Sequence, residues 1–406
     1  MQKLKTRPIL FFLLAFIILS FLTEGIAIIH GTGTSRVKIT GMLRETLDSL
    51  VKANNIPGAT FALCPADGRT IAIASGFSDQ ERRIPMNPDD IMFSGSAGKT
   101  FVAALVLRLC EEGLISLNAR AAGYLEHETW FMNVANAPRI TVEMLLNHTA
   151  GIPEYVYDKE IWLEEKRNPD KVWSVRERLS YTFGMQPSNY PGAGWNYADS
   201  HYLILGLILE KVTGKSYYSL LDSLVLKPCR LTFTQPADHR DLQGLIPGYT
   251  SLSKEFFLPC KKMVSGGKYA FNPQLEWTGG GLVTNVSDLV LWANQLYGGD
   301  FLKKTTLEKM VTPVPFPTTL PENAGYGLGC ITGKTCGIKY FGHSGFVPGY
   351  LTIVQYLPAY HMAVAMQTNC DALHGSAFQD IFNIMKNTAC RLIPDRQDDH
   401  FMSPVN

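Results

Sequence analysis

The chain has 406 residues, 46% of them apolar and 18% charged, with a formal net charge of +1. That length and composition suit one large globular domain or two intertwined ones, with a sizeable core. Near-zero charge gives no reason to expect nucleic acid, and no repeat or metal-ligand cluster stands out; His127-Glu128 lacks the second histidine of H-E-x-x-H.

In chain order, the first segment is distinct. Lys3, Lys5 and Arg7 precede the apolar run from Ile9 to Leu22, and Gly25-Ile26-Ala27 offers a small-x-small cleavage site. Basic, apolar, then small is the secretory order, so residues 1–27 read as a signal peptide or, if uncut, a membrane anchor. The expected location is periplasmic or extracellular. Export makes disulfides available to the eight cysteines. Cys330 and Cys336 flank Ile331 to Thr335, which reads as a short turn, and Cys370 and Cys390 bracket the last strand-to-helix passage. The alternative for both pairs is buried thiols.

A helix is expected over Ile39 to Ala53, with Met42, Leu43, Leu47, Leu50 and Val51 as its apolar positions. Strands follow at Ala59 to Cys64 and Thr70 to Ser75, turned at Pro65-Ala66-Asp67-Gly68. A buried helix spans Phe101 to Cys110. The middle reads as mostly helical, with segments at Ile140 to Leu146 and Tyr202 to Val212 around a polar loop region from Pro153 to Pro187. Strands return at Ile338 to Phe341, Tyr350 to Leu357 and His361 to Gln367, before a last helix from Ser376 to Leu392. Strands at both ends imply one shared sheet, with the helical insert as a second lobe and a cleft between them. The sheet lobe is expected over about 38–95 and 270–395, and the helical lobe over about 96–269.

The segment Phe93-Ser94-Gly95-Ser96-Ala97-Gly98-Lys99-Thr100 precedes the buried helix. Ser96 falls at the helix N-terminus, where free N–H groups favour negative charge, and Lys99 at i+3 shares its face. A hydroxyl needs a base before it attacks a carbonyl, and an amine one turn away can supply or relay one. Gly98-Lys99-Thr100 resembles the end of a phosphate-binding loop, but that loop needs glycine where Phe93 stands.

Further segments follow Ser96 in a fixed order. They are Leu145-Leu146-Asn147-His148-Thr149-Ala150-Gly151, Tyr197-Ala198-Asp199 within Pro191 to Asp199, Gly279-Gly280-Gly281 and Gly342-His343-Ser344-Gly345. Together they resemble the serine β-lactamase-like superfamily, on the branch of class C β-lactamases, D-alanyl-D-alanine carboxypeptidases and related esterases. The resemblance covers about Ile39 to Leu392. It implies an α/β fold of the β-lactamase and penicillin-binding-protein type: an antiparallel sheet flanked by helices plus a mostly helical lobe. Ser96 matches the nucleophile, Lys99 its partner and Tyr197 the proton-transfer tyrosine of this branch. Asp199 stands where the Y-x-N motif has asparagine. His343-Ser344-Gly345 stands where β-lactamases carry K-T-G, which makes Asp199, His343, Ser344 and Gly345 the expected substrate-binding residues. The backbone N–H groups of Ser96 and of a residue near Phe346 are the implied oxyanion hole.

As a chemical set, a Lys99 ammonium beside Tyr197 favours the phenolate, which can take the Ser96 proton. Asp199 accepts where asparagine could donate, and it favours a protonated Lys99. His343 replaces a permanent cation with a group whose ordinary pKa is about 6.5, so it reads a substrate carboxylate only when protonated. The expected protein is an exported serine hydrolase working through an acyl-enzyme, with no metal or organic cofactor. Its partners are a D-amino-acid peptide, ester or β-lactam, not nucleic acid. Carboxypeptidase action on cell-wall peptides is the preferred substrate class, ester or β-lactam hydrolysis the second. A non-turnover module, either a penicillin-binding sensor held to the membrane by the N-terminal segment or a pseudoenzyme, is the alternative from another class.

Overall fold

The computed structural model describes residues 36–258, 261–321 and 323–393. The expected leader at 1–27 lies outside these. From Thr40 onward the described residues form one compact unit, and a single apolar cluster runs through it.

Helix α1 (Arg36–Ala53) buries Leu43, Leu47 and Val51, one residue per turn. Met42 is 41% exposed, because the position beside Leu43 is rotated off that stripe. Strands β1 (Gly58–Cys64), β2 (Ile71–Asp79), β3 (Ile84–Pro85) and β4 (Met92–Phe93) follow. The middle of the chain carries α2 (Lys99–Glu111), α3 (Asp199–Thr213) and the short strands β5 (Gln235–Pro236), β6 (Val264–Ser265), β7 (Lys268–Tyr269) and β8 (Leu282–Thr284). Next come α4 (Val286–Ala293), the strands β9 (Ala324–Tyr326), β10 (Ile331–Thr335), β11 (Ile338–Val347), β12 (Tyr350–Leu357) and β13 (Met362–Thr368), and α5 (Ser376–Leu392).

The main sheet is antiparallel, in the order β3-β2-β1-β13-β12-β11-β10-β9. The first long strand pairs with the last, Ala59 opposite Thr368 and Cys64 opposite Ala363, so both chain ends build one sheet. Every residue of β1, β12 and β13 is buried. Both sheet faces are therefore covered there, which is why these strands read as continuous apolar runs. Helix α4 packs on β1 and β13, and α5 on β12. Each fully buried leucine contributes on the order of 2 kcal/mol of this packing.

Four expectations change. β11 continues past Phe341 to Val347 and includes His343-Ser344-Gly345. Its polar stretch lacks the apolar pattern of a strand, but pairing with β12 (His343 opposite Val354, Gly345 opposite Thr352) satisfies the backbone whatever the side chains. The region from Pro153 to Pro187 is not all loop, since it holds helices at Lys159–Arg167 and Val175–Ser180, the second opened by a Ser174–Glu177 capping box. Ile331–Thr335 is a strand rather than a turn, so Cys330 and Cys336 sit at opposite ends of a five-residue strand. At ~3.3 Å per residue that is ~20 Å, whereas a disulfide needs Cα atoms within about 7 Å. Cys370 is a buried free thiol, so it forms no bridge to Cys390 in the last turn of α5. Among the described residues, no helix is long and apolar enough to cross a membrane.

Candidate active site

Ser96 lies in a tight 3-10 turn, Gly95–Gly98, that feeds directly into α2 at Lys99. The α-helix starts two residues before the apolar run, because Gly98 at the end of the turn already has helical dihedrals. This segment is held from three sides. Phe101 stacks on Trp292 of α4 with ring centroids 4.5 Å apart, and the Trp292 indole N–H donates to Thr100 Oγ1 at 2.9 Å. The Ser94 hydroxyl lies within 3.2 Å of the Gly280 carbonyl and 3.1 Å of the Leu282 carbonyl. On the third side, Thr352 Oγ1 of β12 donates to the Phe93 carbonyl at 2.8 Å.

Two glycines let the turn touch β11 backbone to backbone. Gly95 has φ +50°, and a Cβ there would stand 2.6 Å from Phe346 N. A Cβ on Gly345 would stand 1.9 Å from the Ser94 carbonyl oxygen and 3.1 Å from Ser96 N. Larger residues cannot occupy either position. The amides of Ser96 and Phe346 are thereby brought to the same small space, beside the part-exposed Ser96 side chain.

Lys99 is fully buried and its Nζ has three partners. It donates to Ser96 Oγ at 3.1 Å and to the Gly279 carbonyl, and it forms an ion pair with Asp199 Oδ1. Burial alone would lower the Lys99 amine, but the Asp199 carboxylate and the Tyr197 oxygen outweigh it and hold the ammonium above its ordinary range. Asp199 is the first residue of α3, and its own N–H is accepted by Glu154 Oε2. Burial pushes the Glu154 carboxyl well up and the Glu276 carboxyl up to about 8, and the charge on Asp199 adds to both.

The Tyr197 hydroxyl lies beside Lys99 and Ser96 without completing a hydrogen bond to either. The Lys99 ammonium sits 5.0 Å from its ring centroid. Burial pushes the phenol up to about 12, and Lys99 only partly offsets this because Asp199 opposes it. The expected resting phenolate is therefore corrected: Tyr197 rests as a neutral phenol.

His343 is corrected too. Its ring is 4% exposed and both nitrogens are occupied within the protein, Nε2 by the Tyr326 hydroxyl at 2.9 Å and Nδ1 by the Ser344 carbonyl at 2.6 Å. Burial and the nearby Lys99 ammonium push its imidazolium down to about 3. It packs beside Tyr197, ring centroids 6.2 Å apart, as a neutral group that does not reach the cleft. Ser344 is exposed on the strand edge, where the ladder to β10 has ended at Gly342. Gly345 contributes backbone only.

The structure thus brings Ser96, Lys99, Tyr197 and Asp199 together under the β11 edge with Ser344 and Gly345, and turns His343 inward. A cavity of about 580 Å³ opens beside Asn196, lined also by Glu154, Tyr157 and Asp158. The larger one, about 770 Å³, lies against β9 and β10 and is lined by none of these residues. Sequence reasoning missed Glu154, Glu276, Tyr326 and His201. Tyr326 lies in a stretch too short to show periodicity, and the two glutamates are brought in by loops. Among the described residues no group of His, Cys, Asp or Glu is placed to hold a metal ion.

A Ser-x-x-Lys turn beneath the edge of an antiparallel sheet, faced by a tyrosine at the head of a buried helix, defines a serine hydrolase of the β-lactamase and penicillin-binding-protein fold. The family model described as Beta-lactamase matches residues 43–388, and the chain belongs to that family. It is 24% identical over 288 residues to "Penicillin-binding protein 4*" of Bacillus subtilis, covering 69% of this chain and 60% of that protein. The chain thus spans less than two thirds of that relative. A D-stereospecific amidohydrolase from Streptomyces sp. superposes with a TM-score of 0.73 at 26% identity, covering 85% of this chain and 98% of that one. The D-amino acid amidase of Ochrobactrum anthropi SV3 shares the fold, with a TM-score of 0.72 at 22% identity, covering 87% and 98%.

Proposed function

We propose that the protein is an exported amidohydrolase that forms an acyl-enzyme on Ser96 and acts on small amides or esters of D-amino acids, in preference to peptides ending in a free carboxylate. One observation carries the substrate preference. At the strand position where a cation would meet a substrate carboxylate, the protein has the buried, neutral His343. A cation there would favour a substrate ending in a carboxylate, whereas a neutral group gives an amide no disadvantage. The likeness to a D-stereospecific amidohydrolase supports the same reading. The basic, apolar, small order of residues 1–27 supports export, which N-terminal sequencing of the mature protein tests.

In this reading Ser96 Oγ attacks the substrate carbonyl, and the Ser96 and Phe346 amides hold the oxyanion. Lys99 passes one proton to Asp199 and takes the Ser96 proton. Tyr197, kept neutral by burial, gives its proton to the leaving amine and is reprotonated from Lys99. Asp199 then returns its proton to Lys99, so the net movement is one proton from Ser96 to the leaving group and the ion pair is restored.

The test is the ratio of kcat/KM for a D-amino-acid amide and for a dipeptide of the same residue ending in a free carboxylate, followed from pH 8 to pH 6. A pH-independent ratio favouring the amide is expected. A carboxylate preference that grows toward pH 6 would instead restore carboxypeptidase action with a charged His343.

A further inference from the structure

Behind the site lies a continuous chain of buried hydrogen bonds. The Ile152 N–H meets His201 Nε2 at 3.3 Å, His201 Nδ1 meets His148 Nδ1 at 2.9 Å, and His148 Nε2 meets the Tyr326 hydroxyl at 3.2 Å. The Tyr326 hydroxyl meets His343 Nε2 at 2.9 Å, and His343 Nδ1 meets the Ser344 carbonyl at 2.6 Å. His148, His201 and Tyr326 are fully buried and His343 nearly so.

The two ends fix every proton between them. A backbone N–H only donates and a carbonyl only accepts. From the Ser344 end, His343 must carry its proton on Nδ1, so its Nε2 accepts from Tyr326. The Tyr326 oxygen then accepts from His148 Nε2–H, which leaves His148 Nδ1 as an acceptor for His201 Nδ1–H. His201 Nε2 is then an acceptor, as the Ile152 N–H at the other end requires. The Ala198 N–H also points at His148 Nδ1, at 3.3 Å, which agrees. One arrangement satisfies all these contacts, and in it each imidazole is neutral.

We infer that His201, His148, Tyr326 and His343 form a one-way polarised wire whose function is to position Tyr197 and the Ser344 carbonyl at the reaction centre. Tyr197 leans on this wire: its ring centroid is 4.2 Å from that of His148, 5.9 Å from Tyr326 and 6.2 Å from His343. The wire starts at Ile152, in the loop before the Lys159–Arg167 helix, passes through His201 in the first turn of α3, runs under the tyrosine and ends on the β11 edge beside Ser344. His148 sits at its centre, fully buried, with φ +62°. The charged and titratable groups facing the wire are Lys99, Tyr197, Tyr202, the buried Cys330 thiol beside Tyr326 and, through Lys99, Asp199. The Lys99 ammonium opposes a proton on His148, His201 and His343 alike.

The experiment is 15N NMR of the full chain with labelled histidine, at pH 7 and down to about pH 5, together with Tyr326→Phe. His201 and His343 are expected as Nδ1–H tautomers and His148 as the Nε2–H tautomer, unchanged across that range. In Tyr326→Phe, His343 loses its donor, so its tautomer signal should shift, and kcat should fall roughly tenfold with KM within about twofold. A different tautomer, or a protonated ring, at any of the three sites in the wild type overturns the wire. A folded Tyr326→Phe protein with wild-type kcat overturns its positioning role. The tautomer measurement decides the first question even if that variant fails to fold. It also stands apart from the Ser96 and Tyr197 reading, on which only the kinetic arm rests.

Discussion

The Lys99 ammonium and the Asp199 carboxylate form a buried ion pair directly beside Ser96, where Lys99 also donates to the serine oxygen. An asparagine at 199 would remove the largest influence holding that ammonium up, leaving burial opposed by the Tyr197 oxygen. Asp199→Asn should therefore lower the Lys99 pKa. Acylation should acquire an alkaline-rising limb that the wild type lacks between about pH 6 and pH 9. Amide acylation should also gain relative to ester, because Asn supplies a donor and an amide carbonyl is the stronger acceptor of the two. Stopped-flow acylation against pH measures both. A variant profile that overlays the wild type means the pair does not control Lys99. At pH 7 the variant should lose about 3–5 kcal/mol of stability, less as rising pH lets Lys99 shed its proton.

Ser96→Ala should abolish covalent labelling by a fluorophosphonate or a fluorescent penicillin while keeping the fold, since the side chain is part-exposed and its removal opens no core cavity. Intact mass and a melting curve check this. A labelled Ser96→Ala protein would place the nucleophile elsewhere.

Tyr197→Phe removes only a hydroxyl that lacks a completed hydrogen bond within the protein, so stability should change little. The acylation rate should fall by roughly 10²-fold or more, the scale of losing a general acid or base. With its phenol pushed up to about 12, Tyr197 should add no ionisation to the wild-type profile below about pH 10. A rate within about threefold of wild type assigns proton transfer to another group.

Folding stability should form a plateau and fall on both sides of it. His201 and His343 are pushed down to about 3, and His148 is lowered strongly as well. The unfolded chain therefore binds protons on these three below about pH 6.5 that the folded protein refuses, and stability drops as pH falls. Burial pushes Glu165 and Glu276 up to about 8, and Glu154 is raised too, so the folded protein holds protons that the unfolded chain has lost. These acids stabilise fully below about pH 4.5, and that stability disappears as pH rises toward 8. Between about 4.5 and 6.5 the two sets oppose one another. Below about 4.5 only the histidine effect remains, at about 1.4 kcal/mol per pH unit for each ring. Urea unfolding at several pH values should show that plateau; a stability still rising between pH 6.5 and pH 8 would contradict the buried protonated acids.

Much of this was readable in the residues themselves. The run Ala59 to Cys64 and the runs from Tyr350 to Leu357 and His361 to Gln367 announced buried strands, and their place at opposite chain ends announced the shared sheet, because burial on both faces leaves no polar alternation. Ser96 and Lys99 were legible because a three-residue spacing before a buried helix is a local feature. Tyr197 and Asp199 emerged from ordered motifs. What stayed hidden was every property set by neighbours distant in sequence. A residue's identity fixes its ordinary pKa, but burial and opposing charges decide its state, so Tyr197 read as a phenolate and proved a neutral phenol. His343 read as a carboxylate reader because the sequence says which group stands in β11, but not that Tyr326, seventeen positions away, and the next carbonyl occupy both its nitrogens. Local spacing singled out Ser96 and Lys99; only the folded packing of α3, β9 and β11 around them decided which neighbouring groups are buried and paired and which stand at the exposed strand edge.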